Sequence, residues 1–302
     1  MPYTPSPLRY PGGKTKLYKY VKSIIDANDL TGQTYIEPFA GGAGLALKLL
    51  TNGDVKKVVI NDFDPAIYAF WYCLLNNTEQ LCEFISTVPL TVKEWDTQHN
   101  VYINQGNHTR LELAQATLFL NRTNVSGVIT GGMIGKRDQS GNYKLDARFN
   151  RAELVRKVRT IAALSDRIDL YDLDAIDFLQ YELRHYYKAF INFDPPYVIK
   201  GGKLYKNAFT VEDHRILRDC IARCHRKWIV TYDVCDLVSQ EGRRRHAQYT
   251  GRRCDLVSEL YAKFRKSTLD IYYSANNVRT AKEYIFFSDN LVLPDNINLT
   301  EH

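Results

Sequence analysis

The chain alternates short, wholly apolar runs with segments of helical periodicity. Thr34-Tyr35-Ile36 is the first strong strand signal. It runs into Glu37-Pro38-Phe39 and then into the glycine cluster Ala40-Gly41-Gly42-Ala43-Gly44. Residues 45–50 read as a helix, residues 57–60 as a second strand ending at Asn61-Asp62, and Asp64-Pro65 opens a helix over residues 66–75. Strand, glycine turn, helix, strand and acid is the order of a βαβ nucleotide-binding unit. Two later apolar runs, residues 189–193 and 228–232, lead straight into Asp194 and Asp233. Runs that are apolar on both faces suit a parallel sheet covered on both sides. Residues 268–273 and 283–287 are expected to close that sheet as an antiparallel pair.

The middle of the chain has a different character. Residues 76–119 carry helical periodicity with polar punctuation. Asn121-Arg122-Thr123-Asn124-Val125-Ser126-Gly127 follows, and then a stretch rich in glycine and basic residues over 131–150. Within it Gln139-Ser140-Gly141-Asn142 has turn chemistry and is expected to join two extended arms. Sheet and helix signals resume near Ile168. The predicted fold class is therefore α/β: a Rossmann-like sheet with helices on both faces, interrupted by a mainly helical insertion that carries a β-hairpin.

Composition narrows the function classes without choosing one. The 302 residues are 45% hydrophobic and 25% charged, enough to bury a large core. No run of about 18 apolar residues exists, so no transmembrane helix is expected, and Met1-Pro2-Tyr3-Thr4-Pro5 lacks the basic-then-apolar pattern of a signal peptide. Six scattered cysteines read as reduced thiols of a cytoplasmic protein. Cys220 and Cys224, four apart and near His214 and His225, could suggest a metal; the spacing equally fits one buried helix face, and no metal is expected. A net charge of +6 suits a polyanionic partner but does not identify it.

Chemistry concentrates at strand ends. Ligands of open α/β sheets bind beyond the carboxyl ends of the strands, where Glu37, Asp62 and Asp194 stand. The Gly41-Gly42-Ala43-Gly44 turn allows close backbone approach to a ligand, and Asp62 can grip a ribose diol. No Gly-Lys-Ser/Thr follows the turn, which disfavours a triphosphate. Asp194-Pro195-Pro196-Tyr197 is more specific. The lone pair of an adenine N6 amine is delocalised into the ring, so the amine is a poor nucleophile. A carboxylate and a backbone carbonyl that each accept one N–H drive the nitrogen toward a nucleophilic geometry. Consecutive prolines fix such a carbonyl, and a tyrosine face can stack on an extruded base. Taken alone, these four residues fit a proline-rich strand exit with a satisfied Asp equally well.

With these residues in order, the chain resembles the Dam-like, alpha-group family of DNA adenine-N6 methyltransferases. Arg9-Tyr10-Pro11-Gly12-Gly13-Lys14 is similar to the N-terminal cofactor motif and Glu37-Pro38-Phe39-Ala40-Gly41-Gly42 to the glycine motif. Asn61-Asp62 matches the ribose position, and Leu170-Tyr171-Asp172-Leu173-Asp174 the adenine-contacting segment, with Asp174 the best match. Tyr205, Phe209, Asp213 and His214 keep the spacing after the catalytic motif, and Asn276-Asn277-Val278-Arg279 with Lys282-Glu283 resembles the last one. The resemblance implies a methyltransferase sheet, S-adenosylmethionine as cofactor, double-stranded DNA as substrate, no membrane, a monomer, and room for a cognate restriction endonuclease. It implies Asp194, Pro195, Pro196 and Tyr197 as the catalytic centre. Tyr10, Lys14, Glu37, Pro38, Phe39, Gly41, Asp62, Asp174 and Asp194 would hold the cofactor. Asp at the head of the catalytic motif favours adenine, where Ser would suggest cytosine N4 and Asn an amide. A catalytically silent DNA-binding protein of this fold, and an RNA or protein N-methyltransferase, are the competing readings.

In that family the target-recognition region lies between the second motif and the catalytic strand. Residues 76–159 would then form it, with residues 1–75 and 160–302 as the catalytic domain. Asn121, Arg122, Lys136, Arg137, Lys144, Arg148 and Asn150 are its candidate contacts to phosphates or base edges. A solvated hairpin is the other reading of each. The pattern does not match the subgroup that reads GATC. One departure stands out: Cys235-Asp236-Leu237-Val238-Ser239 recurs as Cys254-Asp255-Leu256-Val257-Ser258, with five arginines between the copies. Residues 240–258 are expected to be an inserted, exposed basic loop.

Overall fold

The computed structural model describes residues 4–10, 13–198, 209–234, 244, 247, 250, 255–273, 279–295 and 297–300. Seven strands form one sheet in the order β3-β2-β1-β4-β5-β7-β6. They are β1 (Thr34–Glu37), β2 (Lys57–Asn61), β3 (Ile168–Tyr171), β4 (Ala189–Phe193), β5 (Lys227–Asp233), β6 (Arg265–Tyr273) and β7 (Arg279–Phe287). The first five run parallel, and β7 pairs antiparallel with both β5 and β6. The apolar runs produce this arrangement because each buries both of its faces. Tyr35, Val58, Phe190 and Ile229 enter one apolar cluster, while Ile36, Val59, Ile191 and Val230 enter the other. The chain order reverses between β1 and β4, so the ends carrying Glu37 and Asp194 lie side by side.

Helices cover both faces. α1 (Tyr18–Ala27), α2 (Gly44–Thr51) and α3 (Pro65–Asn76) lie on one, and the helix Val211–Ala222 lies on the other. The expected mainly helical segment is α4 (Thr78–Thr87), α5 (Val92–Ile103), α6 (Arg110–Thr123) and α7 (Arg151–Ala162). Side-chain caps begin most of these: Asp64 accepts from Ala66 N, Thr91 from Glu94 N, Thr109 and Glu112 form a capping box, and Asn150 accepts from Glu153 N. The four helices do not build a core of their own. Leu118, Phe119 and Leu154 join Phe70 and Trp71 of α3 in a shared apolar cluster.

The hairpin expected around residues 139–142 does not form. Only one bridge occurs there, between Asn124 and Met133. The reason is competition from side-chain amides. Asn124 Nδ2 lies 2.8–3.0 Å from the carbonyls of Val128, Ile129 and Gly131, and its Oδ1 accepts from Trp95 Nε1 at 2.6 Å. Gln139 Oε1 accepts from Leu145 N, while its Nε2 donates to Ile134 O and Lys136 O. Ser126, Lys136 and Gln139 also have left-handed backbone, which breaks an extended arm.

The first repeat copy and most of the expected 240–258 loop lie outside the described residues, as do Pro11, Gly12, Tyr205 and residues 276–278. The far end of that loop is not exposed. Asp255 caps the short helix Leu256–Leu260, and Leu256 and Val257 are buried, as is the following Tyr261. The second copy of the repeat is thus core at its Leu-Val pair. Among the described residues no helix is long and apolar enough to cross a membrane, and no group of three or more His, Cys, Asp or Glu could hold a metal.

Candidate active site

Asp194 leaves β4 at the reversal of strand order, with Pro195 and Tyr197 buried behind it. Its two carboxylate oxygens are in different situations. Oδ1 is 3.0 Å from Lys14 Nζ and accepts from Thr231 Oγ1 at 2.9 Å. Oδ2 takes part in no hydrogen bond among the described residues, and the side chain is 24% exposed. Burial pushes the Asp194 carboxyl up to about 6; Lys14 and Thr231 pull it down, and Glu283 adds to the rise. One edge of the carboxylate is locked and the other is open, an acceptor aimed outward from a rigid strand end.

Lys14 begins a short helical turn, Lys14–Leu17, and is buried. It was expected at the cofactor. The structure places its Nζ on Asp194, on both oxygens of Glu283 (3.1 and 3.3 Å) and on Tyr197 Oη at 2.7 Å. Tyr197 Oη in turn donates to Glu283 Oε1 at 3.1 Å. The Tyr197 ring is 7% exposed, so it does not present an open stacking face here.

The glycine turn is shaped by another part of the chain than expected. At Gly41, with φ +47°, a Cβ would come within 2.6 Å of the Tyr10 ring, and at Gly42 within 2.8 Å of Tyr10 Cβ. The space next to Gly44 is taken by the Thr15 hydroxyl. These glycines give room to the N-terminal segment, whose Tyr10 covers the turn. Gly41 N donates to Asp62 Oδ2 at 2.7 Å, Asp64 N donates to Asp62 Oδ1 at 3.0 Å, and Trp71 Nε1 donates to Gly41 O. Burial, with Asp64 beside it, pushes the Asp62 carboxyl up to about 7. Asn61 ties the neighbouring strand ends together, donating to Pro38 O and Leu173 O and accepting from Leu173 N.

The remaining acids differ in role. Glu37 lies behind the turn, where Oε1 accepts from Tyr35 Oη and Ala46 N, and burial pushes its carboxyl up to about 8. Asp174 Oδ1 accepts from Ile176 N and caps the next turn. Phe39 meets Phe209 edge-on at 5.8 Å. Phe63, which the sequence did not single out, is 54% exposed between Asp62 and Asp64. Asp62 is half-buried next to the exposed Phe63 ring, and a carboxylate beside an aromatic face suits a nucleoside. Thr231 was also missed, and Glu283, noted only as part of the last motif, was given no role at the site. Thr231 could have been found as a polar residue within the largely apolar run of β5.

The expected DNA contacts divide into two sets. Asn121 is fully buried: Oδ1 accepts from Arg9 N at 2.7 Å, and Nδ2 donates to Arg9 O and Gly127 O, each at 2.8 Å. It is a tether for the N-terminal segment, not a surface reader. Arg122 donates to Arg148 O and Pro7 O, and burial lowers its pKa to about 10. Asn150 caps α7, and Arg137 forms a two-pronged pair with Asp96. Lys136, Lys144 and Arg148 are exposed, with Arg148 5.3 Å from the Tyr143 ring.

The Type II methyltransferase M.MjaIII of Methanocaldococcus jannaschii is 24% identical over 209 residues, 63% of this chain and 68% of that protein. Among solved structures, the rRNA methyltransferase aviRa from Streptomyces viridochromogenes covers 92% of this chain and 86% of its own at 13% identity, with a TM-score of 0.38. Residues 10–273, from the tyrosine on the glycine turn to the end of β6, match the sequence model of the D12 class N6 adenine-specific DNA methyltransferases, and the chain belongs to that family.

Proposed function

We propose that this DNA adenine-N6 methyltransferase acts on an adenine turned out of double-stranded DNA, with S-adenosylmethionine as methyl donor. The observation that carries the reading is the split at Asp194: Oδ1 held by Lys14 and Thr231, Oδ2 open. One N6 hydrogen is donated to Oδ2 and the other to the Pro195 carbonyl. Both are accepted in a fixed direction, and this localises the nitrogen lone pair toward the incoming carbon. The cofactor would supply a methyl group on a sulfonium, its sulfur keeping the C–S bond pair and leaving as a neutral thioether; N6 gains the methyl and releases one proton to solvent. Asp62 would hold the ribose, Phe63 and Asp174 the purine, and Pro38, Phe39, Gly41 and Tyr10 the methionine end. Glu37 supports the turn from behind. Stacking of Tyr197 on the extruded base needs the Pro196-Tyr197 segment to shift and uncover the ring.

Lys136, Lys144 and Arg148 are the groups we assign to the DNA backbone, because they are exposed and, unlike Arg137, have no carboxylate partner among the described residues, Lys144 donating to the Gln139 carbonyl. The order of motifs supports membership of the Dam-like alpha group. The Type II name of M.MjaIII supports a restriction endonuclease as its biological counterpart; a cytoplasmic location and a monomeric enzyme belong to the same reading. Incubation with labelled S-adenosylmethionine and a panel of duplex DNA, RNA and protein tests the reading. Label should enter duplex DNA as N6-methyladenine; label entering only RNA or protein refutes it.

A further inference from the structure

Glu283 is the group in this site that methyl transfer as described above does not use. It sits on β7, 1% exposed, opposite Asp233 of β5 and Leu269 of β6 in the register. Its carboxylate faces Lys14 Nζ at 3.1 and 3.3 Å and Tyr197 Oη at 3.1 Å. Lys14 therefore serves two carboxylates with one positive charge. A lysine devoted to Asp194 alone would stabilise that anion strongly and make it a poor acceptor of the N6 hydrogen, since acceptor strength follows basicity. A second buried carboxylate divides the field of the lysine.

We propose that Glu283 is a positioning residue for methyl transfer: by sharing Lys14 with Asp194, it keeps Asp194 basic enough to draw on the target amine. The proposal rests on the assignment of Asp194 as the amine acceptor. Among the described residues, Glu283 is faced by Lys14 from the N-terminal turn, Asp194 and Tyr197 from the exit of β4, and Asp233 across the ladder. Lys282 and Tyr284 flank it on its own strand. Of these only Lys14 and Asp194 carry the effect, because they form the ion pair. Burial of Asp194 works in the same direction.

The test is the pH–rate profile of the full chain with S-adenosylmethionine and duplex DNA, for wild type, Glu283→Gln and Glu283→Asp. Activity on the acid side is lost as Asp194 takes up a proton. Removing the Glu283 charge lowers the Asp194 pKa, so the acid limb of Glu283→Gln should move down by roughly one pH unit. Its plateau kcat should fall by about tenfold, with KM for both substrates nearly unchanged. Glu283→Asp should restore most of both. An unmoved limb, even with reduced stability, overturns the proposal. If Glu283→Gln does not fold, the wild-type limb decides: it must lie above the ordinary carboxylate range of about 4, and a limb within that range overturns the proposal. Asp194→Asn separates the two levels. If that variant still methylates, the assignment of Asp194 fails; if it is inactive and Glu283→Gln matches wild type, only the role of Glu283 fails.

Discussion

Lys14 Nζ lies 3.0 Å from Asp194 Oδ1, a pair that joins the N-terminal segment to the exit of β4 180 residues later. Lys14 is the main group opposing the burial-driven rise of the Asp194 pKa. Lys14→Met should therefore move the acid limb of the pH–rate profile upward, opposite in direction to Glu283→Gln. It should also destabilise the fold by roughly 3–5 kcal/mol, because two carboxylates lose their shared cation. A combined pH–rate and thermal melting series reads both; an acid limb that stays in place would detach Lys14 from catalysis.

Much of the sheet was legible because buried parallel strands write themselves as largely apolar runs, as residues 189–193 and 228–232 do with one polar residue each, Asn192 and Thr231. The acids at the strand ends followed from the same pattern. Contacts of long sequence separation were not legible. Nothing near Lys14 announces Asp194 or Glu283, and nothing near Gly41 announces the Tyr10 ring. The hairpin failed for a local reason: Asn124 and Gln139 capture backbone groups that turn chemistry alone assigned to a ladder. Asn121 misled because a buried amide and a base-reading amide are the same residue type, and only burial separates them.

Gly41 and Tyr10 should behave as a coupled pair. In Gly41→Ala the new Cβ meets the Tyr10 ring at 2.6 Å, on a backbone with φ +47°. A loss of about 1–3 kcal/mol is expected. Tyr10→Ala in the same chain removes the clash but not the backbone strain. A double-mutant cycle by denaturant unfolding should therefore give a coupling above about 0.5 kcal/mol. Strict additivity would mean that the ring does not pack on the glycine turn in solution.

Asn121→Ala distinguishes tether from reader. It leaves the N–H and carbonyl of Arg9 and the carbonyl of Gly127 without their amide partner, at about 1–3 kcal/mol for each group left unsatisfied. The salt dependence of DNA binding by the folded variant should match wild type. Arg148→Ala should do the reverse, leaving the melting temperature nearly unchanged and lowering the salt slope by about one. A normal melting temperature with lost DNA affinity for Asn121→Ala would restore it as a direct contact.

Glu37 gives the fold a pH dependence of known sign. Its folded pKa of about 8 lies above its ordinary value of 4.5, so the protonated form favours folding. That contribution is complete below about pH 4.5 and is lost as pH rises toward 8. Glu37→Gln mimics the protonated group. Its melting temperature relative to wild type should rise between pH 5 and pH 8, by an amount on the order of 2–4 kcal/mol in stability. Parallel melting curves across that range would contradict the burial of the carboxyl.

The claim on which the rest depends is that Asp194 accepts the target amine. The most direct measurement is modified-base sequencing of DNA from cells expressing wild type or Asp194→Ala, paired with S-adenosylmethionine binding by the purified proteins. Wild type should leave N6-methyladenine at one recurrent sequence. Asp194→Ala should leave none while binding the cofactor within severalfold of wild type. N6-methyladenine at the same sequence in the Asp194→Ala cells would contradict the claim.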